Sequence, residues 1–420
     1  MSFPRVLTCF LGGVVLGVAL LPATPLRLAF DREGEGLSLA QAGVGLRGLG
    51  GGSRTLTVQV DGPVELAWLY WTGREIPCVV DPASGVCGIS RQPYKDQALR
   101  LDGVPLTGSV LGTEMQPVTS RGPVLNIGYG VDVTEKVRAK GTGRLTFILS
   151  DGDRDLNLEL DGAGLIVLYT AANGPTARIL GFHGLDFAYG EDFTPGPTEV
   201  TEAVTFAHGA TKGARRGELA LLVGDGQGSR RPDRIEIRNN QPLLERLDGS
   251  AGAQFDADRF PVNVPGRMLA TTVQIFSEAW GRNPDSLLWV AAALWLPVPE
   301  PQGCTADVWN GRPEWPGTGI APGQRVRDTF SQSNHYGQIG NVTLRVALRF
   351  QGGGGVLGAA KVLIREGAAA LLNATHPTLE YPYTRSQLIV MVNGALGSGD
   401  SAQMGELAAL LREANEAECE

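Results

Sequence analysis

From about residue 54 to 296, short runs of apolar residues alternate with polar ones and are broken by turn residues. "RTLTVQV" (54–60) alternates strictly, as a half-buried strand does. "VELAWLYWTG" (64–73) reads as an aromatic strand ending at a turn. "ALRLDGVPL" (98–106) places an Asp-Gly step between two apolar runs, which is strong hairpin chemistry. The segment 144–171 predicts three strands separated by Asp/Gly turns. "ELALLVGDG", "RIEIRNN", "MLATTVQIFS" and "SLLWVAAALWLPV" continue the series to residue 298. The last of these could be a buried helix by periodicity alone; its Trp, its Val and the following Pro favour a core strand. The pattern predicts one β-sandwich or jelly roll over 54–296.

After "PVPEPQG" (297–303), read as a stiff Pro-rich linker, the period changes from 2 to 3.6. "GAAKVLIREGAAALLNA" (358–374) is an amphipathic helix that stops near Asn373 and Pro377. "TRSQLIVMVNGAL" opens with Thr384 and Gln387, and "DSAQMGELAALLREAN" with Asp400 and Gln403, both in capping-box spacing. With Trp309 and Trp315, these helices can bury a small core. The predicted fold is thus a mainly β N-terminal part followed by a small α-helical domain, 304–420.

The stretch before the strands divides in two. "VLTCFLGGVVLGVALL" (6–21) is an uncharged apolar run after a single Arg, broken by Pro22 and Pro25. It is short for a membrane span and fits the apolar region of an export signal, predicted as residues 1–25. Cleavage is expected after Ala23 or near Ala29; a retained anchor is the alternative. Residues 26–53, including "QAGVGLRGLGGGS", are Gly-rich without strong periodicity and read as a flexible lead-in.

Composition narrows the function classes. The 420-residue chain carries a net charge of −8, which argues against a nucleic-acid binder. Loss of a signal containing Cys9 leaves Cys78, Cys87, Cys304 and Cys419, an even number that suggests two disulfides in an exported chain. Cys78 and Cys87 flank turn residues, so a local bridge there would contribute roughly 3 kcal/mol. A Cys304–Cys419 bridge would clasp the ends of the helical domain. A zinc site is the rival reading, but the four histidines do not cluster with these cysteines.

Residues 303–420 resemble a C-terminal module of secreted bacterial proteins that opens with a Gly-Cys-Thr-Pro-Gly-Tyr-Trp-Lys-type motif. The residues that carry the resemblance are Gly303-Cys304-Thr305, Trp309, "LIREGAAALLNATHP", Tyr381-Pro382, "VNGALGSGD", Asn415 and Cys419. The chain departs from that module at "ADVWNG". Residues 60–297 resemble β-domains of unknown function in bacterial surface proteins, through 67–73, Asp132-Val133-Thr134, "DGAGLIVLY", "LDGSAGAQFD" and "PDSLLWVAAALWLPVP". Both resemblances imply an extracellular or envelope setting, and neither carries an enzymatic activity.

Candidate sites are sparse. Asp151, Asp153 and Asp155 alternate as in the first half of a Ca²⁺ loop, although the second half of that motif is missing. Asp225, Asp233, Asp248 and Asp256 lie in similar Asp/Gly turns. Trp68 and Tyr70 share one face of their strand and Trp71 takes the other, so one face offers a sugar-stacking platform if it is exposed. His183 and His208 read as turn or core residues. Two acids of "GEDFTPGPTEVTE" (190–202) would suit a hydrolase only if they shared a cleft. A Lys-Asn isopeptide bond at Lys136 or Lys140 is a further candidate. The expectation is a non-enzymatic protein of the cell surface or envelope, structural or adhesive, with no cofactor beyond a candidate Ca²⁺. Its expected partners are envelope or extracellular components, glycans included. A glycan-binding module and a self-assembling filament or lattice subunit are the alternatives.

Overall fold

The strands that alternate most cleanly in sequence lie on the outside of the molecule, and the continuously apolar ones lie in its middle. The computed structural model describes residues 24–48, 52–75, 78–80, 87–89, 97–116, 124–151, 159–190, 199–227, 233–244, 246–252, 254–278 and 285–419. Its first strands are β1 (Thr24–Gly34), β2 (Leu37–Gly45), β3 (Ser53–Val60) and β4 (Val64–Glu75). A small hairpin, β5 (Cys78–Val80) and β6 (Cys87–Ile89), follows. Next come β7 (Ala98–Leu101), β8 (Val104–Thr107), β9 (Ser109–Gln116) and β10 (Val124–Asp132). Helix α1 (Thr134–Lys140) leads to β11 (Gly143–Asp151) and β12 (Glu159–Thr170). The series continues with β13 (Ala177–Tyr189), β14 (Val204–Ala207), β15 (Arg215–Gly224) and β16 (Asp233–Ile237). It ends with β17 (Leu243–Leu244), β18 (Phe255–Val264), β19 (Ala270–Ser277) and β20 (Ser286–Pro297).

These strands build two jelly rolls rather than the single sandwich expected from sequence. In the second, the inner sheet runs β1-β13-β20-β15-β18 and the outer sheet β14-β19-β16-β17. Counting β13 to β20 as one to eight, the orders are 1-8-3-6 and 2-7-4-5, the jelly-roll interleaving. The first roll repeats it, with β2-β12-β4-β10-β9 inside and β3-β11-β7-β8 outside. There β9 is an added edge strand and β5–β6 an insertion.

Each roll has its own core, and the two inner sheets share a third. Leu56, Val58, Trp71, Tyr129 and Phe147 fill the first roll. Phe206, Ile235, Ile275, Trp289 and Leu294 fill the second. Between the inner sheets lie Phe30, Leu39, Tyr70, Ile166, Leu222 and Val290. The inner sheets are therefore buried on both faces, and every residue of β20 from Ser286 to Leu294 is inside. That double burial explains why "SLLWVAAALWLPV" is continuously apolar and confirms it as a strand. In the outer sheet, β19 alternates buried and half-buried residues along its length, because one face is turned to solvent.

Of the expected lead-in 26–53, the described residues 26–48 are mostly strand rather than flexible chain. β1 pairs with β13 and β2 with β12, so the segment supplies an edge strand to each inner sheet. Its glycines allow close approach: a Cβ on Gly43 would stand 2.4 Å from that of Ala257. Gly164 plays the same part in β12, where a Cβ would come within 2.4 Å of Leu222. Thr24 and Pro25, placed in the signal by sequence, already belong to β1; residues 1–23 lie outside the described part. The expected hairpin at 98–106 is present as β7–β8, with Asp102 at φ 53° and Gly103 at φ 77°, both left-handed as a two-residue turn requires. Of the three strands expected within 144–171, the described residues form two, β11 and β12.

The helical part packs around Trp309, Trp315, Phe330, Leu363, Leu371 and Val392. Its short helices are α2 (Ala306–Gly311), α3 (Val326–Thr329) and α4 (Leu344–Ala347). The long ones are α5 (Gly355–Thr375), α6 (Arg385–Ser398) and α7 (Ser401–Asn415). The capping box of Thr384 and Gln387 starts α6. At α7, the Asp400 side chain caps the backbone N–H of Ala402. The segment 297–303, expected as a stiff linker, is hydrogen-bonded to both the β and the helical parts. Val298 N–H donates to the Thr176 carbonyl at 2.8 Å and Gln302 N–H to the Glu380 carbonyl at 2.8 Å. Glu380 also docks this part on the second roll, its carboxylate accepting the backbone N–H groups of Lys212 and Gly213.

Candidate functional site

The expected sugar platform is not on the surface. Trp71 is fully buried in the first roll, stacked on Tyr129 with centroids 5.6 Å apart. Tyr70 is fully buried between the rolls. Trp68, half-buried, stacks on Tyr70 at 5.9 Å, and His183 meets both rings edge-on. The alternation of faces is as expected, but both faces of β4 are interior because an inner sheet has no solvent side. Asp153 and Asp155 lie outside the described residues, as does the side chain of Asp151. The side chains of Cys78 and Cys87 are also outside them. Cys304 and Cys419 are joined by a disulfide, with Cα atoms 4.8 Å apart. His208 is a buried structural residue, its Nε2 3.0 Å from the Thr271 hydroxyl.

At one end of the inter-roll core, charge replaces apolar packing. Arg74 on β4 pairs with Asp161, 3.5 Å away on the bulge of β12, and with Asp225 at the end of β15. Arg47, just after β2, reaches Asp225 at 3.1 Å. The Thr72 hydroxyl donates to Asp161 at 3.2 Å, and Gln227 Nε2 to Asp225 at 3.1 Å. Two arginines of the first roll thus grip a carboxylate of the second. Both carboxylates are buried, and such charges are tolerated only when paired and hydrogen-bonded. Arg47, Arg74 and Asp225 thus act as an ionic rivet between the rolls, with Asp161 holding Arg74 from within the first roll. Asp225 was visible in sequence only as an Asp/Gly turn.

Three other carboxyls near this end are held neutral more readily than in water. Burial, reinforced by Asp186, pushes Glu114 up to about 7. Burial pushes Asp186 up to about 6. Burial does the same to Asp256, to about 7, although its Oδ1 accepts the N–H groups of Gly249 and Ser250 at 2.8 and 2.9 Å. A carboxyl whose folded value lies above its unfolded one binds its proton more tightly in the folded state. Its ionisation therefore costs stability as pH rises through the folded value, and the cost vanishes as pH falls below the unfolded one. Asp256→Asn should accordingly be more stable relative to the parent at about pH 8 than at about pH 6. Thermal unfolding of both proteins across that range measures the difference; a gap independent of pH would remove Asp256 from this role.

A second feature faces solvent on the outer sheet of the second roll. There β16, β19 and the turn after β16 enclose an open cleft of about 440 Å³. Glu236 and Gln274, directly opposed across β16 and β19, line it with Arg238, Asn239, Asn240 and Thr272. Asn239 sits at φ 62°, a left-handed conformation that Asn tolerates at a turn. Asn240 stiffens the turn, accepting Asn263 N–H at 2.8 Å and donating to the carbonyls of Arg238 and Asn263. The lining supplies carboxylate, guanidinium, amide and hydroxyl groups. Sequence reading passed over it because "RIEIRNN" displays only strand and turn signals.

No protein-family model and no curated protein matches the sequence. Among solved structures, it is similar to an uncharacterized protein from Listeria monocytogenes (12% identity, 57% of this chain, TM-score 0.19). This chain spans 19% of that protein's length. It is also similar to the extracellular domain of ANXUR1 from Arabidopsis thaliana (9% identity, 64% of this chain and 90% of that one, TM-score 0.20). A third similarity is to a peptide-N(4)-(N-acetyl-β-D-glucosaminyl) asparagine amidase (11% identity, 63% and 97%, TM-score 0.17). Scores this low carry no functional argument.

Proposed function

We propose that this chain is a non-catalytic binding protein of the cell surface or extracellular space, and that the outer-sheet cleft takes a polyhydroxylated ligand such as a glycan. The cleft carries the reading. Glu236, Gln274, Arg238 and Asn239 offer acceptors and donors from one strand pair and a stiffened turn, which suits vicinal hydroxyls. The rigid body behind it supports a binding role, since the rolls are joined by a shared core and an ionic rivet. The Cys304–Cys419 disulfide suits an oxidising compartment. Among the described residues no helix is long and apolar enough to cross a membrane. The resemblance of residues 303–420 to a secreted bacterial module points to the same setting, with the helical part docking the β body to envelope components.

The test is calorimetric titration of the full chain against a panel of soluble glycans, with the mixtures then assayed for cleavage products. Binding by the parent is expected, weakened at least tenfold in Arg238→Ala and in Glu236→Gln, or about 1.4 kcal/mol. No binding across the panel, or binding that ignores both substitutions, would discard the cleft. Cleavage of a bound glycan would discard the non-catalytic reading.

A further inference from the structure

Beyond the rivet, the first roll's inner sheet continues into a row of side chains that do not satisfy one another. Glu114 on β9 lies directly opposite Asn126 on β10, and Asn126 lies directly opposite Arg74 on β4. Directly opposed residues put their side chains on one face of a sheet, with Cβ atoms about 4.5–5.5 Å apart. Gln116, two residues along β9, shares the face of Glu114. Asn126 is 0% exposed and Gln116 5%.

Four polar atoms of this group are buried without a hydrogen-bond partner: Oε2 of Glu114, Oε1 of Gln116, and both Oδ1 and Nδ2 of Asn126. Native proteins seldom leave such atoms orphaned, so a group of them calls for an explanation. Three of the four are oxygens, from three side chains on two adjacent strands. Arg74 is no remedy, because its guanidinium is engaged by Asp161 and Asp225 on the other side of the row. Asp186, on β13 of the second roll, adds negative field at Glu114. Its own oxygens accept the N–H groups of Phe187 and Glu202 at 2.9 and 2.7 Å.

We infer that Glu114, Gln116 and Asn126 form a binding site for a hard divalent cation, Ca²⁺, with one carboxylate and two amide oxygens as protein ligands and water completing the shell. Ca²⁺ takes six to eight oxygens at 2.3–2.6 Å and accepts carboxylates, amide carbonyls and waters together. Zinc and copper favour imidazole or thiolate, and this ligand set contains neither. A lone water could satisfy one or two of the oxygens; a cation with its own waters satisfies all three. The site is separate from the Asp151–Asp155 segment singled out in sequence. It rests on amides that a count of acidic residues passes over.

Calorimetric titration of the EGTA-stripped full chain with CaCl₂, followed by thermal unfolding, tests the site. One Ca²⁺ per chain and a raised Tm are expected, with Mg²⁺ binding at least tenfold more weakly. Glu114→Gln should abolish the Ca²⁺-dependent rise without lowering the Tm measured in EGTA, which distinguishes a lost ligand from a damaged fold. Asn126→Asp should lower the Tm in EGTA and tighten Ca²⁺ at least tenfold, because it adds a carboxylate to the same position. Absence of Ca²⁺ binding by the parent would overturn the inference. So would Ca²⁺ binding that survives Glu114→Gln unchanged, as binding by the Asp151–Asp155 segment would.

Discussion

Cys419→Ser should lower the unfolding free energy of the helical part by about 5 kcal/mol, the loop-closure value for a bridge spanning about 115 residues. Cys419 is the informative position because it is exposed, whereas Cys304 is fully buried among Trp309, Leu371 and their neighbours. Replacing the exposed partner opens the loop and leaves the core packing in place. The two ends meet even without the sulfurs. Gly303 N–H donates to the Glu418 carbonyl at 3.2 Å, and Gln302 forms a parallel bridge with Glu418. These contacts hold the ends in the folded state but do not restrict the unfolded chain, which is where the disulfide acts. Urea denaturation followed by helical circular dichroism measures the effect, since the three long helices all lie in this part. A loss below about 1 kcal/mol would mean that the packed core holds the ends without the clasp.

Asn373→Ala should cost nearly as much, about 3–5 kcal/mol. Asn373 is fully buried near the end of α5 and makes four hydrogen bonds with its side chain. Its Oδ1 accepts Cys304 N–H at 2.9 Å and the Trp309 indole N–H at 2.8 Å. Its Nδ2 donates to the Cys304 carbonyl at 2.9 Å and to Asn415 Oδ1 at 3.0 Å. Asn415 in turn accepts the Tyr381 hydroxyl at 2.9 Å and donates to the backbone carbonyl and the carboxylate of Glu366. Truncation strands two buried donors, Cys304 N–H and the Trp309 indole, and each orphan costs about 1–3 kcal/mol. Asn415→Ala should be coupled to it, the double variant losing less than the sum of the singles. Urea denaturation of the three variants checks both statements. Simple additivity would mean that the two asparagines act separately.

Cys304, Trp309, Asn373, Tyr381 and Asn415, which stood out in the sequence as pieces of a motif, are one connected buried network. Their spacing betrays no such contact, because they come from α2, α5, α7 and the turns between them. Of these, only Cys304 announced a pairing, with Cys419, through the chemistry of cysteine. The capping box at Thr384 was equally legible, since both of its hydrogen bonds lie within four residues. The Glu114, Gln116 and Asn126 group was not. Nothing local marks Gln116 or Asn126, and their significance comes from sharing one face of adjacent strands in a buried sheet.

The sequence by itself determined what depends on neighbours along the chain. The period-2 strands of the outer sheets, the left-handed Asp102–Gly103 turn, the switch to helix after residue 303 and the N-cap of α6 are all of this kind. Each follows from backbone sterics and local hydrogen bonding. The tertiary structure alone decided how many bodies those strands make and what their faces meet. A strand records that both of its faces are apolar; it does not record whether the second face meets its own sandwich or another. Thus "WLYW" became core on both sides rather than a platform, and Gly43 became a point of sheet contact rather than slack. The physical reason is that burial is a property of the pair of surfaces in contact, and the second surface can lie more than two hundred residues away, as Ala257 does from Gly43.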